Sequence, residues 1–339
     1  MGATKIADVI QPELFAQYVI DKTTEKSELM YAGAVENNPE LNRLITGGGT
    51  VLTMPKWNDL TGKSQVLSDQ NAITVNKITS KAELATLLIR ANSWGAHELA
   101  GALAGDDPMK AIASRVADWW VRDEKSNIMA ILNGIFNITA DSSHNDLSDL
   151  VEDITSASVT KISANAVLDA KQRLGDASDL LSMIYMHSAT FTELQKQNVI
   201  QFIPVAESKI TIPTYLGYRV ICDDSAPVET VGGTTKYTTY LLSRGCIQRG
   251  QGVPVDLTSV ETDRDSLGST DILINRQAKV LHPKGISWVG AGQIAEATPS
   301  DDELANKSYT SGGETVTRNN WSRVADVKKI GIVKLVHTL

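Results

Sequence analysis

The run from Met109 to Leu132 constrains this chain more than any other segment. Met109, Ile112, Val116, Trp119, Trp120, Ile128, Ile131 and Leu132 recur at three- and four-residue steps, the spacing that gathers side chains on one face of an α-helix. In Gly105-Asp106-Asp107-Pro108, Asp107 stands where an N-cap belongs and Pro108 at the first helical position, while Gly134 is placed to end the run. The predicted helix over 108–133 is about 40 Å long at ~1.5 Å per residue, far beyond the ~11-residue average, and suits a spine.

On the N-terminal side, breakers dominate. Pro12, the polar run Asp21–Glu28, Asn37-Asn38-Pro39 and Gly47-Gly48-Gly49 interrupt every helical stretch, so residues 1–50 read as an extended arm. Val51–Trp57 and Ala72–Ile78 are strand-like and joined by a polar segment containing Gly62, and Ala82–Asn92 returns as a third apolar-rich element. This layout predicts a long hairpin-like loop. Beyond the spine, Ser163 is placed to cap a helix through Val167, Leu168 and Leu174 to Gly175. Leu180–Met186 reads as a buried strand, and Thr190 with Glu193 as a capping box. Strands are predicted at Gly217–Cys222, at Lys236–Leu242 after the Gly232-Gly233 turn, at Asp271–Leu281 and at Ile286–Val289. The stretch after Pro299 is polar until Trp321 and ends in apolar Ile330–Val336, a sticky end that should dock somewhere. The fold class is α+β, and no repeat of 20 to 50 residues signals a solenoid.

Composition narrows function by exclusion. The chain has 339 residues, 42% of them hydrophobic and 21% charged, an ordinary balance for a folded protein with about two domains. No apolar run approaches the roughly 18 residues needed to cross a bilayer, and Met1-Gly-Ala-Thr-Lys-Ile has no apolar stretch of a secretion signal behind it. Ile6 stands where a myristoylation signal needs Ser or Thr. Cys222 and Cys246 lie far apart in apolar contexts, which predicts packed thiols in a reducing cytoplasm. The net charge of −8, with Lys328-Lys329 as the densest basic run, disfavours tight sequence-reading DNA binding. A weakly acidic surface suits a container whose walls must not hold the polyanion moving past them.

Candidate chemistry is sparse. His97, His144, His187, His282 and His337 show no pair spaced as helical metal ligands and read as surface or satisfied core residues. Met186-His187-Ser188 invites a nucleophile-and-base reading, but strand neighbours point to opposite faces and no G-x-S-x-G elbow surrounds the serine. Gly290-Ala-Gly292-Gln-Ile-Ala295 matches G-x-G-x-x-A after an apolar strand, yet Glu296–Asp302 is polar and broken by Pro299 where a Rossmann helix would open. The pairs Asp106-Asp107 and Asp223-Asp224 read as a helix cap and a turn rather than cation sites. Trp119-Trp120, with few basic neighbours, reads as core or subunit contact rather than a base-stacking platform. No catalytic, cofactor-binding or metal-binding residue is assigned.

Several segments in order resemble the major capsid proteins of tailed bacterial viruses. Leu99-Ala-Gly-Ala-Leu-Ala-Gly-Asp-Asp-Pro108 ahead of the long helix resembles the start of that family's spine helix, and Met186-His187-Ser188 with Leu194, Ile200 and Pro204 is similar to its next segment. Tyr215-Leu-Gly-Tyr-Arg-Val-Ile-Cys-Asp-Asp-Ser225 resembles its "LG..V..DD" segment, and Tyr240-Leu-Leu-Ser-Arg-Gly245 and His282-Pro-Lys-Gly-Ile-Ser-Trp288 complete the series. Residues 1–50 and those after Pro299 match by layout only.

The resemblance implies the Johnson, Hong Kong 97-type capsid fold. Its parts would be an N-terminal arm (1–50), an E-loop hairpin (51–92), a peripheral domain (93–140 and 241–298) with the spine helix over 108–133, an axial domain (141–240) and a C-terminal tail (299–339). The implied function is a non-enzymatic subunit that assembles as pentamers and hexamers into the icosahedral or prolate shell around a viral genome. Its partners would be further copies of itself, a separate scaffolding protein, a portal, a decoration protein and weakly held, non-specific DNA, with no membrane and no cofactor. The protein would be made in the host bacterial cytoplasm and reside in the virion. Only some fifty residues precede Val51, and they lack heptads, so no cleavable scaffolding segment is expected. An encapsulin-like compartment around a cargo enzyme is the alternative, and a nucleotide-dependent oxidoreductase using the Gly290 turn a remote one.

Overall fold

The computed structural model describes residues 29, 32–58, 60, 62–66, 73–99, 108–156, 160–204, 211–254, 257–292, 294–311 and 314–339. The expected cap at Asp107, the Asp106-Asp107 pair and the breakers Pro12 and Asp21–Glu28 lie outside them. In chain order, the first elements are β1 (Val35–Asn37), α1 (Pro39–Thr46), β2 (Val51–Trp57), β3 (Ser80–Thr86), β4 (Leu88–His97) and the long helix α2 (Pro108–Phe136). There follow β5 (Val151–Asp153), α3 (Ala164–Gln172), β6 (Leu181–Met186), α4 (Ser188–Lys196), β7 (Gln201–Pro204), β8 (Thr211–Tyr215), β9 (Tyr218–Cys222), β10 (Val228–Val231) and β11 (Thr234–Ser243). The last are β12 (Ile247–Gly252), β13 (Val260–Asp265), β14 (Thr270–Pro283), β15 (Ile286–Trp288), α5 (Asp301–Leu304), β16 (Tyr309–Ser311), β17 (Glu314–Val316), β18 (Trp321–Arg323) and β19 (Ile332–His337).

Two sheets organise the chain. The five-stranded sheet is built on the 14-residue strand β14, with β4 along one edge and β13 then β12 in succession along the other. The eight-stranded sheet runs β5-β19-β11-β6-β9-β8-β7, with β10 hairpinned onto β11 across the Gly232-Gly233 turn. Period-2 alternation gives β14 two different faces. Leu273, Asn275 and Lys279 meet α2, whereas Ala278 and Val280 join Leu41 and Ile45 of α1 with Leu52, Ala85 and Leu87.

The long helix bridges both sheets. Its first half packs Met109, Val116 and Trp120 on Val260 and Leu273, and its second half sends Ile128, Ile131, Leu132 and Ile135 into the main core with the strands of the larger sheet. Under the first half lies a polar seam. Trp120 Nε1 donates to Asn275 Oδ1 at 2.6 Å, and Lys279 Nζ reaches Asp123 at 2.7 Å. The Arg249 guanidinium grips Glu124 through Nε to Oε1 and Nη2 to Oε2, both 3.0 Å, with these two side chains 3% and 2% exposed. Carboxylates so deeply buried need partners, and two sheet cations supply them.

Several sequence expectations change. Gly134 does not stop α2, which continues to Phe136. A Cβ at Gly134 would collide with the Leu304 carbonyl and the Trp321 indole, so the glycine admits the chain after α5 against the helix, where Asn306 Nδ2 donates to Gly134 O at 3.0 Å. The Asn37-Asn38-Pro39 breaker starts a helix: Asn38 Oδ1 accepts from Glu40 N at 2.9 Å and Pro39 opens α1. Residues 35–46 are therefore not a free arm. They add β1 parallel to β12 and press Leu41 onto Gly250, where any side chain would clash.

The partner of β2 is Ser80–Thr86, not Ala72–Ile78; within the latter, Ile73, Val75 and Ile78 are exposed. Register explains the choice, because pairing Val51 with Thr86 turns Leu52 and Ala85 onto α1 and β14. The capping box expected at Thr190 and Glu193 is absent. His187 caps α4, with Nδ1 accepting from Ala189 N at 3.0 Å, and Thr190 is buried inside the helix. A complete box forms instead at Ser300 and Glu303 of α5. Residues 299–339 are not a separate tail: β18 pairs with β15, and β19 sits between β5 and β11. The sticky end fills a central strand position.

Trp120→Ala is expected to cost ~3–5 kcal/mol through lost burial and a cavity. Glu124→Ala is expected to cost a comparable ~3–5 kcal/mol by leaving the Arg249 charge alone in the interior. Denaturant unfolding of the purified chain reads both; parent-like midpoints would show that the seam carries no stability.

Candidate assembly surface

The strongest candidate surface is the hairpin of β2 and β3. At its base Leu52 and Ala85 are in the core, but exposure climbs along the strands until Trp57 is 68% exposed. Past the strands, Leu60, Val66, Ile73, Val75 and Ile78 all face solvent, Val66 at 94% and Val75 at 91%. The segment is nonetheless tied across its width. Asn58 Nδ2 donates to Thr79 Oγ1 at 2.7 Å, and the Gln65 amide both accepts from Thr74 N and donates to Thr74 O, at 2.7 and 2.9 Å. Its described residues form a cross-tied projection with apolar side chains that their own chain leaves uncovered.

A charged clamp roots it. Glu83 of β3 is buried; its Oε1 accepts from Lys56 Nζ at 2.7 Å, and its Oε2 faces His282 Nε2 of β14 at 3.3 Å and the Gly285 amide at 3.4 Å. Leu84 N donates to Ser287 Oγ at 3.1 Å. Burial pushes the Glu83 carboxyl up, but the hydrogen bonds and charges of His282 and Lys56 outweigh it and hold the group at about 2.

The residues singled out for chemistry do not converge. The Ser188 hydroxyl lies with Asp224, whose carboxyl it helps hold below the ordinary range, while His187 spends Nδ1 on capping α4 and keeps Nε2 3.8 Å from Asp224. No nucleophile-to-base hydrogen bond is formed. Asp223 turns the other way, accepting from Ser225 N at 2.9 Å and pairing with Lys125 of α2. His337 is a core residue: Nδ1 bonds Thr338 O, Nε2 bonds Thr239 Oγ1, and burial pushes its pKa down to about 4. His144 pairs with Asp141, and His97 Nδ1 accepts from Leu99 N. Gly290–Gly292 is a short turn pressed on Asn320, and residues 294–300 hold no helix. Trp120 is buried, with Trp119 half-buried in edge contact between it and Trp94. Cys246 is packed and its thiol raised to about 12 by burial, but Cys222 is exposed at the end of β9, against the expectation for a strand thiol. Among the described residues no three His, Cys, Asp or Glu side chains gather as a metal site, and no helix is long and apolar enough to cross a membrane.

What the structure offers is surface, and comparison with known proteins says what kind. The chain is 44% identical over 342 aligned positions, covering 100% of itself and 99% of its relative, to the major capsid protein of Bacillus phage SPP1. The chain belongs to the phage major capsid proteins. Solved structures share the fold at low identity. The capsid of Ralstonia phage GP4 aligns with a TM-score of 0.56 at 8% identity, covering 91% of this chain and 87% of that one. The cyanophage Pam1 capsid aligns at 0.55 and 10%, covering 90% and 88%, and the acid-stable capsid of Helicobacter pylori bacteriophage KHP30 at 0.52 and 10%, covering 93% and 92%. No family model matches the chain.

The expected α+β, Johnson-type capsid fold and the expected family are thus both found, and the viral shell stands ahead of the encapsulin-like compartment. Within this capsid subunit, the clamp was missed by sequence reading. Its one legible signal is Glu83, a lone acid in an apolar-rich strand. Glu83 titrates lower when folded, so its contribution is fully present above pH about 4.5 and fades as pH falls toward about 2. The stability gap between parent and Glu83→Gln should therefore be flat above pH about 4.5 and close toward about 2. A gap independent of pH across that window, in acid-titrated unfolding curves, would reject the clamp.

Proposed function

We propose that this capsid subunit builds a closed shell of pentamers and hexamers around a viral genome, with β2, β3 and their connecting segment acting as an E-loop laid on a neighbouring subunit. The five-stranded sheet with α2 is the peripheral domain, and the eight-stranded sheet is the axial domain at the capsomer centre. Residues 332–337 belong with that axial layer by strand pairing. Assembly relies on a separate scaffolding protein and a portal, and the subunit resides in the virion after synthesis in the host cytoplasm.

The observation that carries this reading is the hairpin. Beyond Leu52 and Ala85 at its base, Trp57, Leu60, Val66, Ile73, Val75 and Ile78 are exposed on their own chain, while the base is fixed by Glu83, Lys56 and His282. A projection held firmly at one end and apolar at the other is built to be covered by another copy. In a closed symmetric shell every copy both gives and receives that contact, so modest interfaces sum into one stable object.

Val75→Asp tests it, because Val75 is exposed in the subunit and would be covered in the shell. The variant should match the parent in unfolding midpoint as a subunit, yet yield few or no closed shells by negative-stain microscopy when co-expressed with the virus's assembly proteins. Parent-like shells from the variant would take the hairpin out of the assembly contact.

A further inference from the structure

Among the described residues two histidines are buried, one in each large sheet, and their surroundings differ in one respect. His282 of β14 has Nε2 3.3 Å from the Glu83 carboxylate, so a charge on that ring finds its opposite beside it. His337, at the end of β19, pairs with no carboxylate of the described residues. Its Nδ1 donates to Thr338 O, which can only accept. Nε2 therefore carries the lone pair and accepts from the Thr239 hydroxyl, both contacts being 3.0 Å. Tyr237 stacks on the ring at 6.2 Å.

The charged groups around His337 are engaged elsewhere or turned away. On its own face, Glu152 of β5 is taken by Arg173 at 2.6 Å, and beyond Tyr237 the His187 ring lies toward Asp224. Helix α3, packed on β19, keeps Asp169 exposed and Lys171 paired with Asp179, and Lys161, bridged to Thr338 through the backbone, is exposed. Lys334, Asp153 and Lys236 fall on the opposite face by strand alternation. A second proton on His337 would turn Nε2 from acceptor into donor against a hydroxyl and place an uncompensated charge in the core.

We propose that His337 is an acid-released fastener of the larger sheet, whose protonation expels the ring and frees the end of β19 together with the segments it holds. Those segments are tied to the strand end itself. Thr338 N donates to Thr160 O at 2.8 Å, Ile162 N to Thr338 O at 3.4 Å, and Ile154 N to Val336 O at 3.0 Å, so the strand end, β5 and residues 160–162 open as a unit. The inference concerns the chain by itself and does not depend on the shell reading. Burial pushes the His337 pKa from 6.5 down to about 4, so its contribution is fully present above pH about 6.5 and is lost as pH falls toward about 4. The hairpin clamp lasts further into acid, because Glu83 is held at about 2. Acid thus undoes the larger sheet first.

The test follows backbone hydrogen exchange in the purified full chain between pH about 7 and about 4 at constant ionic strength, each rate corrected for its intrinsic pH dependence. A ring that takes its proton at about 4 when packed and at 6.5 when open favours the open form about a hundredfold more at the acid end. Protection of residues 332–339 and 151–154 should fall by that factor, while that of β4 and β14 holds. His337→Gln keeps a neutral donor and acceptor and removes the titration, so its protection should be flat over the same window. Should the variant not fold, the parent still decides. Its His337 imidazole, assigned in isotope-labelled spectra through its contact with Tyr237, should be the Nδ1–H tautomer and stay neutral until exchange at β19 rises. Protection at β19 that ignores pH, an acid loss spread equally over both sheets, an equal loss in the variant, or a ring protonated while β19 stays closed would each overturn the inference.

Discussion

The contact between α2 and β14 is where the structure is held, and its character is unusual for a core. A purely apolar seam between a helix and a sheet tolerates small slides, because one leucine replaces another at similar cost. Here Trp120 must find Asn275, Asp123 must find Lys279 and Glu124 must find Arg249, all within about one turn of helix. A shift of one residue would strand several charges in the interior, each worth several kcal/mol. The apolar side chains supply most of the attraction, and the ion pairs select one position. That position then sets the angle between the two sheets, since the second half of the same helix is embedded in the larger core.

From that fixed frame, exposure is distributed rather than minimised. The hairpin is rooted by Glu83 and leaves Trp57, Leu60, Val66 and Val75 to solvent, whereas the long strands β6, β11, β14 and β19 bury most of their large apolar side chains. Ordinary monomers rarely keep such a set uncovered. On the proposed reading, the unburied area is kept for other copies, and part of the stability of an assembled particle is withheld from the subunit.

The spine helix and the later strands and turns were legible in the sequence because each leaves a local mark. Periodicity marks α2, the paired glycines mark the β10–β11 turn, and the polar break after Gly292 argues against a nucleotide fold. The errors have a common cause. Gly134, Pro39 and the Thr190-Glu193 pair were read by their single-residue preferences, and the outcome was decided by other contacts: distant Leu304 and Trp321 for the glycine, the Asn38 cap and the packing of Leu41 on Gly250 for the helix that Pro39 opens, and the neighbouring His187 cap for the third. The pairing of β2 with Ser80–Thr86, the Glu83 clamp and the docking of β19 depend on partners far along the chain, which no window of neighbouring residues reveals.

The place of β19 has a bearing on how the particle is made. Among the described residues, Val151–Asp153 acquires its strand neighbour only from Ile332–His337, and Tyr237–Leu242 acquires one of its neighbours from the same segment. On the ribosome the larger sheet therefore stays open while everything between those segments is synthesised, and it closes when residues 332–337 emerge. A chain interrupted earlier lacks the neighbour of β5 and one neighbour of β11, and so cannot complete the larger sheet. Only translation through that last strand therefore completes the sheet, so a truncated chain is altered in its core and not merely shortened at its edge.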